Sequence, residues 1–580
     1  MNKKIMFEHI IQNVQSTIAR FPVPVTLSII GTVISLLLLH NNDTDTISRL
    51  FYTLALAFPL SIAVTLLSER NNKKALNFSI FGAFIVLYYF FIGKNLFTVE
   101  YDTYRIQYVL WILASVFLVT FIPYVKKISS TVLGFWQYNQ RILYALLATA
   151  FYSAAIYAGL SIALFAVNTL FDLNIDGIRW AELGTLIFGL FSTTFFLARF
   201  PHAEESAIEY PKELRMFSFY VLVPLVAIYV LILYSYSGKI ILSQEWPKGI
   251  ISSMILGFSM LGICTYALLY PLIRLDELLQ KISRWFFVAL LPQIVVLFLA
   301  VKLRIDEYAI TEQRYFVVIF GVWLLVISLY FIFGKNKDIR TIPLSLCILI
   351  ACISFGPWGA FQVSRDSQVQ RIEGILVRNN MLVDGKIAST TTPISFKDRQ
   401  EISEIILYLN QNHGLETIQP WFTQDLQATE NHHEKAKRAT ELLGINFIDT
   451  YQNETNYYFT SNTGKEGTSQ ALKVTGYDYL VQDTYNATVL NGASYKFIFA
   501  TTTLEYVVLK NDSEIARFPV KPLIERLIAE YTESGKTEYT VDELSLPFEN
   551  NQIKMVVYFT SINGTSENMW AGHSVVLRMK

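Results

Sequence analysis

The chain has 580 residues, 53% of them hydrophobic and only 16% charged, with a mean hydropathy of +0.37. Water-soluble domains usually carry ~25% charged residues, so this composition excludes a wholly soluble protein. Residues 1–362 hold 27 Lys/Arg against 20 Asp/Glu and residues 363–580 hold 20 against 27, so the zero net charge is the sum of +7 and −7. That asymmetry reads as a basic membrane region followed by an acidic soluble one.

In residues 1–20, Ile10, Ile11, Val14 and Ile18 recur at helical spacing, as in a helix lying on a membrane surface. A bilayer core of ~30 Å needs about 20 apolar residues per helix. Eleven stretches qualify, at 21–40, 47–67, 75–92, 106–125, 142–167, 180–198, 216–237, 250–272, 285–301, 315–333 and 342–361. The first does not read as a cleaved signal peptide, because twenty residues precede it and no small-residue cleavage site follows His40. The fifth continues to Phe171 and is long enough to tilt. The expected fold is thus a polytopic α-helical membrane protein of about eleven spans followed by a soluble α+β domain.

Basic residues retained on the cytoplasmic side set the orientation. The six segments on the N-terminal side hold 18 Lys/Arg, and the five opposite loops hold 9. The N-terminus is therefore expected in the cytoplasm and, after an odd number of spans, the C-terminal domain outside it, in a bacterial cytoplasmic membrane. The charged residues of this half gather at the connections, with Asp172 closest to a span. Ion-coupled transporters place ionisable groups inside their spans, so this pattern argues against one.

Beyond residue 363 the pattern changes. Ser395 and Asp398 resemble a capping box ahead of an apolar face formed by Ile402, Ile405, Ile406 and Leu409, and Gly414 ends the helix. A second helix is expected near 430–443, stopping at Gly444. Strands follow, with a two-residue hairpin turn at Asn491-Gly492, a helix at about 521–533, and two final strands flanking Asn563-Gly564. The domain layout is a surface segment 1–20, a membrane domain 21–362 and an extracytoplasmic α+β domain 363–580, with a subdivision near 450. The soluble half has no cysteine, so it holds no disulfide and no Cys-based zinc site.

Several stretches recur as an ordered set: Arg20-Phe21-Pro22, Tyr210-Pro211-Lys212-Glu213-Leu214-Arg215, Trp246-Pro247-Lys248-Gly249, Tyr308-Ala309-Ile310-Thr311-Glu312-Gln313-Arg314-Tyr315, Ser354-Phe355-Gly356-Pro357-Trp358-Gly359-Ala360-Phe361, Ser367-Gln368 and Gly476-Tyr477-Asp478. With them the chain resembles, over nearly its whole length, the bacterial membrane-protein family named domain of unknown function 4153. In that family's pattern Gly is commoner at position 309 and Asn at 313. The resemblance supports the architecture and brings no activity, substrate or catalytic residue with it.

Candidate sites are few. The charged loop Lys302 to Arg314 contains Arg304, Asp306, Glu312 and Arg314, which read either as an ordinary solvated loop or as a polar seat on which the soluble domain docks. Asn168 and Asp172, four apart at the outer end of span five, read as an interface marker or a polar ligand site. Ala155, Gly159 and Ala163 form a small-residue ladder suited to close helix packing within the chain or, alternatively, to a homodimer seam. His432 and His433, flanked by Glu430 and Glu434, invite a metal reading, but adjacent helical positions diverge by roughly 100°, which favours a solvated helix start. His202 with Glu205 is no stronger. No cofactor or metal is expected, and no catalytic, phosphate-loop or dinucleotide motif occurs. No basic, aromatic-laced surface points to nucleic acid.

Three classes of function follow. First comes a non-enzymatic envelope platform displaying an interaction or sensing domain, its partners the lipid bilayer and an envelope protein or lipid. The alternatives are a transporter of apolar or lipid-like substrates and a membrane-embedded transferase with a lipid-linked donor, for which Asp172, Asp306 or Glu312 would serve.

Overall fold

A span must close all its backbone hydrogen bonds within itself, because the hydrocarbon layer offers no water. In the computed structural model the apolar stretches accordingly fold as helices. The structure describes residues 3–40, 45–71, 73–92, 102–124, 132–202, 210–243, 250–388, 394–426, 432–445, 447–448, 457–461, 472, 474–482, 487–534, 536–565 and 568–580. The chain divides into two compact units, residues 1–368 and 369–580.

The first unit is all helical. In chain order its helices are α1 (Lys3–Arg20), α2 (Pro22–His40), α3 (Asp45–Asn71), α4 (Lys74–Ile92), α5 (Asp102–Phe121), α6 (Val132–Phe171), α7 (Ile178–Leu186), α8 (Ser192–Ala198), α9 (Lys212–Phe217), α10 (Val223–Ser243), α11 (Ile250–Ile273), α12 (Glu277–Tyr308), α13 (Glu312–Phe333) and α14 (Thr341–Ile353). α15 (Ala360–Arg378) contains the division between the units. Among the described residues nine helical segments are long and apolar enough to cross a membrane, and two shorter apolar helices, Lys74–Phe90 and Thr341–Ile353, occupy the remaining two expected positions. This is a multi-pass membrane protein. α1 carries Ile11, Val14 and Ile18 exposed along one face.

Four spans depart from simple continuous helices. α6 begins ten residues before the expected start of the fifth span and covers 40 residues. Short π-helical segments interrupt two others, Ile187–Phe191 between α7 and α8 and Ser218–Leu222 between α9 and α10. The eleventh stretch breaks after Ile353, turns through Ser354–Gly359 with Gly356 at φ +76°, and restarts as α15. The turn lacks the continuous backbone bonding of a helix, and its sequence supplies both a glycine and Pro357, which has no N–H to give. The core of this unit is rich in aromatic rings. Phe287 stacks on Phe331 at 4.9 Å, and Tyr266 meets both edge-on at 5.1 and 4.8 Å.

In the second unit, β1 (Leu382–Val383) and β2 (Lys386–Ile387) form a small hairpin, followed by α16 (Phe396–Asn412) and α17 (His432–Leu442). Ser395 caps α16 by accepting from the Asp398 N–H at 3.1 Å. The apolar face read from the sequence, Ile402, Ile405, Ile406 and Leu409, is buried with Ile372, Ile375 and Leu376 of α15. The strands then are β3 (Tyr457–Thr460), β4 (Tyr479–Val481), β5 (Thr488–Leu490), β6 (Ala493–Ala500), β7 (Glu505–Lys510), β8 (Ser513–Pro519), β9 (Ser545–Glu549), β10 (Ile553–Thr565) and β11 (Asn568–Met579), with α18 (Lys521–Ser534) between β8 and β9. They form two antiparallel sheets, one ordered β5-β6-β7-β8, the other β3-β10-β11-β4 with β9 also paired to β10. Asn491 and Gly492 both take positive φ, 50° and 77°, and join β5 to β6 as a two-residue turn. Asn563-Gly564, expected as the final turn, instead lies inside β10, whose pairing with β11 continues to Thr565 opposite Asn568. A Cβ on Gly564 would fall 2.2 Å from the Asn568 carbonyl oxygen, so glycine is there to admit the neighbouring strand.

Candidate functional site

The charged segment 302–314 is mostly helix. α12 runs through Tyr308 and α13 begins at Glu312, which leaves Ala309–Thr311 as the connection. Ala309 closes α12 at φ 56° and ψ −172°, a backbone state that favours glycine, and its N–H donates to the Ile305 carbonyl at 2.9 Å.

Side chains distant in sequence hold this connection. The Gln368 amide donates to the carbonyls of Tyr308 and Ile310 at 2.9 and 3.1 Å, and the Ile310 N–H donates to the Ser367 hydroxyl at 3.0 Å. Arg314 donates to the Tyr308 and Ala309 carbonyls at 3.1 and 2.8 Å. The Tyr315 hydroxyl donates to the Trp358 carbonyl at 2.6 Å, inside the turn that breaks the eleventh stretch. Gln107, near the start of α5, donates to the Ser354 carbonyl of that turn at 3.0 Å, and Trp111 meets Phe355 edge-on at 4.6 Å. Stretches separated by 43 to 247 positions thus form one cluster at one end of the membrane unit.

The four residues singled out in the loop divide. Arg314 belongs to the cluster, its guanidinium turned onto carbonyls and lying 5.4 Å from the Tyr308 ring. Glu312 is buried, 4% exposed, in the first turn of α13. Arg304 lies near the same ring, at 5.6 Å. Asp306 pairs with Lys302 one turn back, both exposed. Exposed pairs of this kind contribute ~0–1 kcal/mol. Side-chain bonds to backbone carbonyls therefore organise this end more than the ion pair does.

At the other end of the unit a second cluster forms. Arg20 donates to the carbonyls of Phe200 and Pro201 at 2.8 and 3.1 Å and pairs with Glu69 at 2.9 Å. Tyr210 stacks on Trp136 at 5.3 Å and donates to the Leu268 carbonyl at 3.2 Å, while Trp136 donates to the Ala267 carbonyl at 2.9 Å. Four of the six connections that alternate counting assigns to the N-terminal side, those holding Arg20, Glu69, Trp136, and Phe200 with Tyr210, therefore meet in space.

Among the described residues no hydrogen bond joins the Asn168 and Asp172 side chains. Asn168 accepts the Ile175 N–H at 2.8 Å and so shapes the turn after α6, while Asp172 is exposed at φ 47°. Ala155, Gly159 and Ala163 lie exposed on α6, and a Cβ on Gly159 would meet nothing within 4 Å. The close packing within the chain expected of this ladder is not made among the described residues, because α6 turns other faces toward its neighbours. His433 packs edge-on to Phe447 at 5.0 Å; Glu430 and Glu205 lie outside the described residues, as does the side chain of His432. Among the described residues no group of three or more His, Cys, Asp or Glu side chains is placed to hold a metal.

Sequence reading missed one further group. His40, the last residue of α2, bonds Glu182 at 2.6 Å, and Glu182 also pairs with Arg179 at 2.9 Å. Arg179 and Glu182 share a helical face at i,i+3 spacing, which was a visible signal; the partnership with His40, 142 positions away, was not.

Comparison with known proteins agrees with this architecture. The family model described as Domain of unknown function (DUF4153) matches residues 26–384, more than half of the chain. Arg20-Phe21-Pro22 and Gly476-Tyr477-Asp478 fall outside that range, so the match is shorter than the near-whole-chain resemblance expected. An uncharacterized protein of Pasteurella multocida (strain Pm70) is 24% identical over 235 residues, which is 40% of this chain and 40% of that protein's length. No solved structure matches significantly.

Proposed function

The chain belongs to the DUF4153 family, and on that premise we propose that this multi-pass membrane protein is a platform in the bacterial cytoplasmic membrane. It displays its second unit, residues 369–580, outside the cytoplasm as an interaction or sensing module. One observation carries the reading. The motif residues of 308–315, 354–361, Ser367 and Gln368 direct their hydrogen bonds at one another's backbone and so fix the place where the chain leaves the membrane unit. A catalytic cluster would instead leave polar groups converging on a substrate-sized space.

The side follows from charge. Eighteen basic residues against nine favour a cytoplasmic N-terminus, and eleven crossings then bring the second unit to the far side. Alkaline phosphatase, which is active only outside the cytoplasm, tests this. Fused after Lys580 it is expected to be active, and fused within 126–141 silent. The reverse pattern would overturn the displayed-module reading.

A further inference from the structure

Between α2, α3 and the α7–π–α8 span lies a cleft of about 500 Å³, within the size range of ligand sites. Its walls include Leu27 of α2 and Leu54 and Phe58 of α3, and the hydroxyls of Ser28, Thr32 and Thr193 that also line it are bonded to carbonyls within the protein. In the hydrocarbon layer such a cleft is filled by lipid rather than by water.

The chemistry along the cleft is graded. Toward the ends of α2 and α7 its wall includes Ser35 and Thr185, whose hydroxyls make no hydrogen bond to the described residues. A helical hydroxyl in lipid normally bonds a carbonyl one turn back, as Thr32 does to Ser28 at 2.8 Å. The two hydroxyls are therefore free to donate to a polar atom that the protein does not supply. Five residues beyond Ser35, ~7.5 Å along the helix, stands the ion group His40–Glu182–Arg179. The side chains of His40 and Arg179 are 49% and 58% exposed, and the exposed carboxylate of Asp176 lies on the adjoining turn.

The order of mixed charge, then hydroxyl, then apolar wall matches headgroup, ester and acyl chain of a glycerophospholipid. We infer that this cleft binds one zwitterionic glycerophospholipid, its acyl chain against Leu27, Leu54 and Phe58 and its esters accepting from Ser35 and Thr185. The phosphate meets Arg179 and His40, and the headgroup ammonium meets Glu182 and Asp176. A headgroup with phosphate alone would leave both carboxylates facing a like charge. This site does not depend on where the second unit is displayed.

The test uses the full chain, purified in detergent and stripped of lipid, then offered phosphatidylethanolamine or phosphatidylglycerol, with retained lipid read by native mass spectrometry. One ethanolamine lipid per chain is expected, held roughly tenfold more tightly than the glycerol lipid. Gly31→Leu directs a side chain into the cleft from a position whose Cβ meets nothing within 4 Å, and it should abolish retention without altering the melting temperature. Ser35→Ala with Thr185→Val, which leaves the cleft open, should weaken retention roughly tenfold. Equal retention of the two headgroups, or undiminished retention by Gly31→Leu, overturns the site.

Discussion

Ala309 is, with Gln313, one of two positions at which the chain departs from the pattern it resembles, and its backbone state is one that favours glycine. At φ 56° and ψ −172° a Cβ costs ~1–3 kcal/mol, while glycine loses ~0.5–1 kcal/mol more entropy on folding. The first effect is larger, so Ala309→Gly should stabilise the membrane unit by ~1 kcal/mol and Ala309→Val should destabilise it. Unfolding of the purified chain by dodecyl sulfate titration measures both. A second residue-scale prediction concerns His573, half-buried against Tyr506 at 5.1 Å and Phe559 at 6.1 Å. Burial pushes its pKa below the ordinary histidine value, and backbone carbonyl contacts, Ala571 among them, only partly oppose this. The unfolded chain then takes up the proton first as pH falls. Stability contributed by the neutral ring is present above ~6.5 and lost as pH drops through that value toward the folded pKa. The stability difference between the parent and His573→Phe should therefore shift against the parent between pH 7 and pH 5, measured by denaturant unfolding of the second unit. A difference constant over that range would disprove the neutral-ring assignment. Neither residue was legible as special from sequence: Ala309 looked like a mismatch, and His573 like any strand residue.

At the scale of elements, the positions of the helices were legible and their interruptions were not. Apolar runs of about twenty residues locate spans because the bilayer imposes a length. Hydropathy is blind to whether a run is one helix, so 342–361 read as continuous although it breaks after Ile353. It is equally blind to a π segment, which changes hydrogen-bond register without changing composition. The segment Ile187–Phe191 is held from outside: the Gly189 carbonyl accepts from Ser28 of α2 at 2.6 Å and from Thr193 one turn on. Glycine is required there because a Cβ would lie 2.2 Å from the Thr32 hydroxyl oxygen. Gly189→Ala should therefore cost ~1–3 kcal/mol through overpacking, and adding Thr32→Ala should recover part of the loss by removing the clashing oxygen. A double-mutant cycle on thermal unfolding measures the coupling, and strict additivity would show that the two positions do not meet. In the second unit the signals with a local cause held, namely the Ser395 cap, the stop at Gly444 and the Asn491-Gly492 turn. Asn563-Gly564 misled because the same dipeptide serves either a turn or a close strand approach, and only strand register distinguishes the two.

For the whole molecule, composition and periodicity alone determined that the chain is a multi-pass membrane protein with a separate α+β part, because burial in lipid and burial in a sheet leave different residue patterns. The ordered motifs likewise singled out a set of residues by their resemblance to the family. What those residues do was decided only by tertiary structure. Tyr308, Trp358 and Gln368 belong to one cluster because the end of α12, the turn before α15 and the middle of α15 converge, and nothing in a linear pattern encodes that meeting. The same holds for the cleft lined by Ser35 and Thr185 and for the ion group of His40, Glu182 and Arg179. Each joins α2 to a span some 140 to 160 positions later, and such contacts arise from how apolar faces of similar composition select one another, through fit rather than through hydropathy.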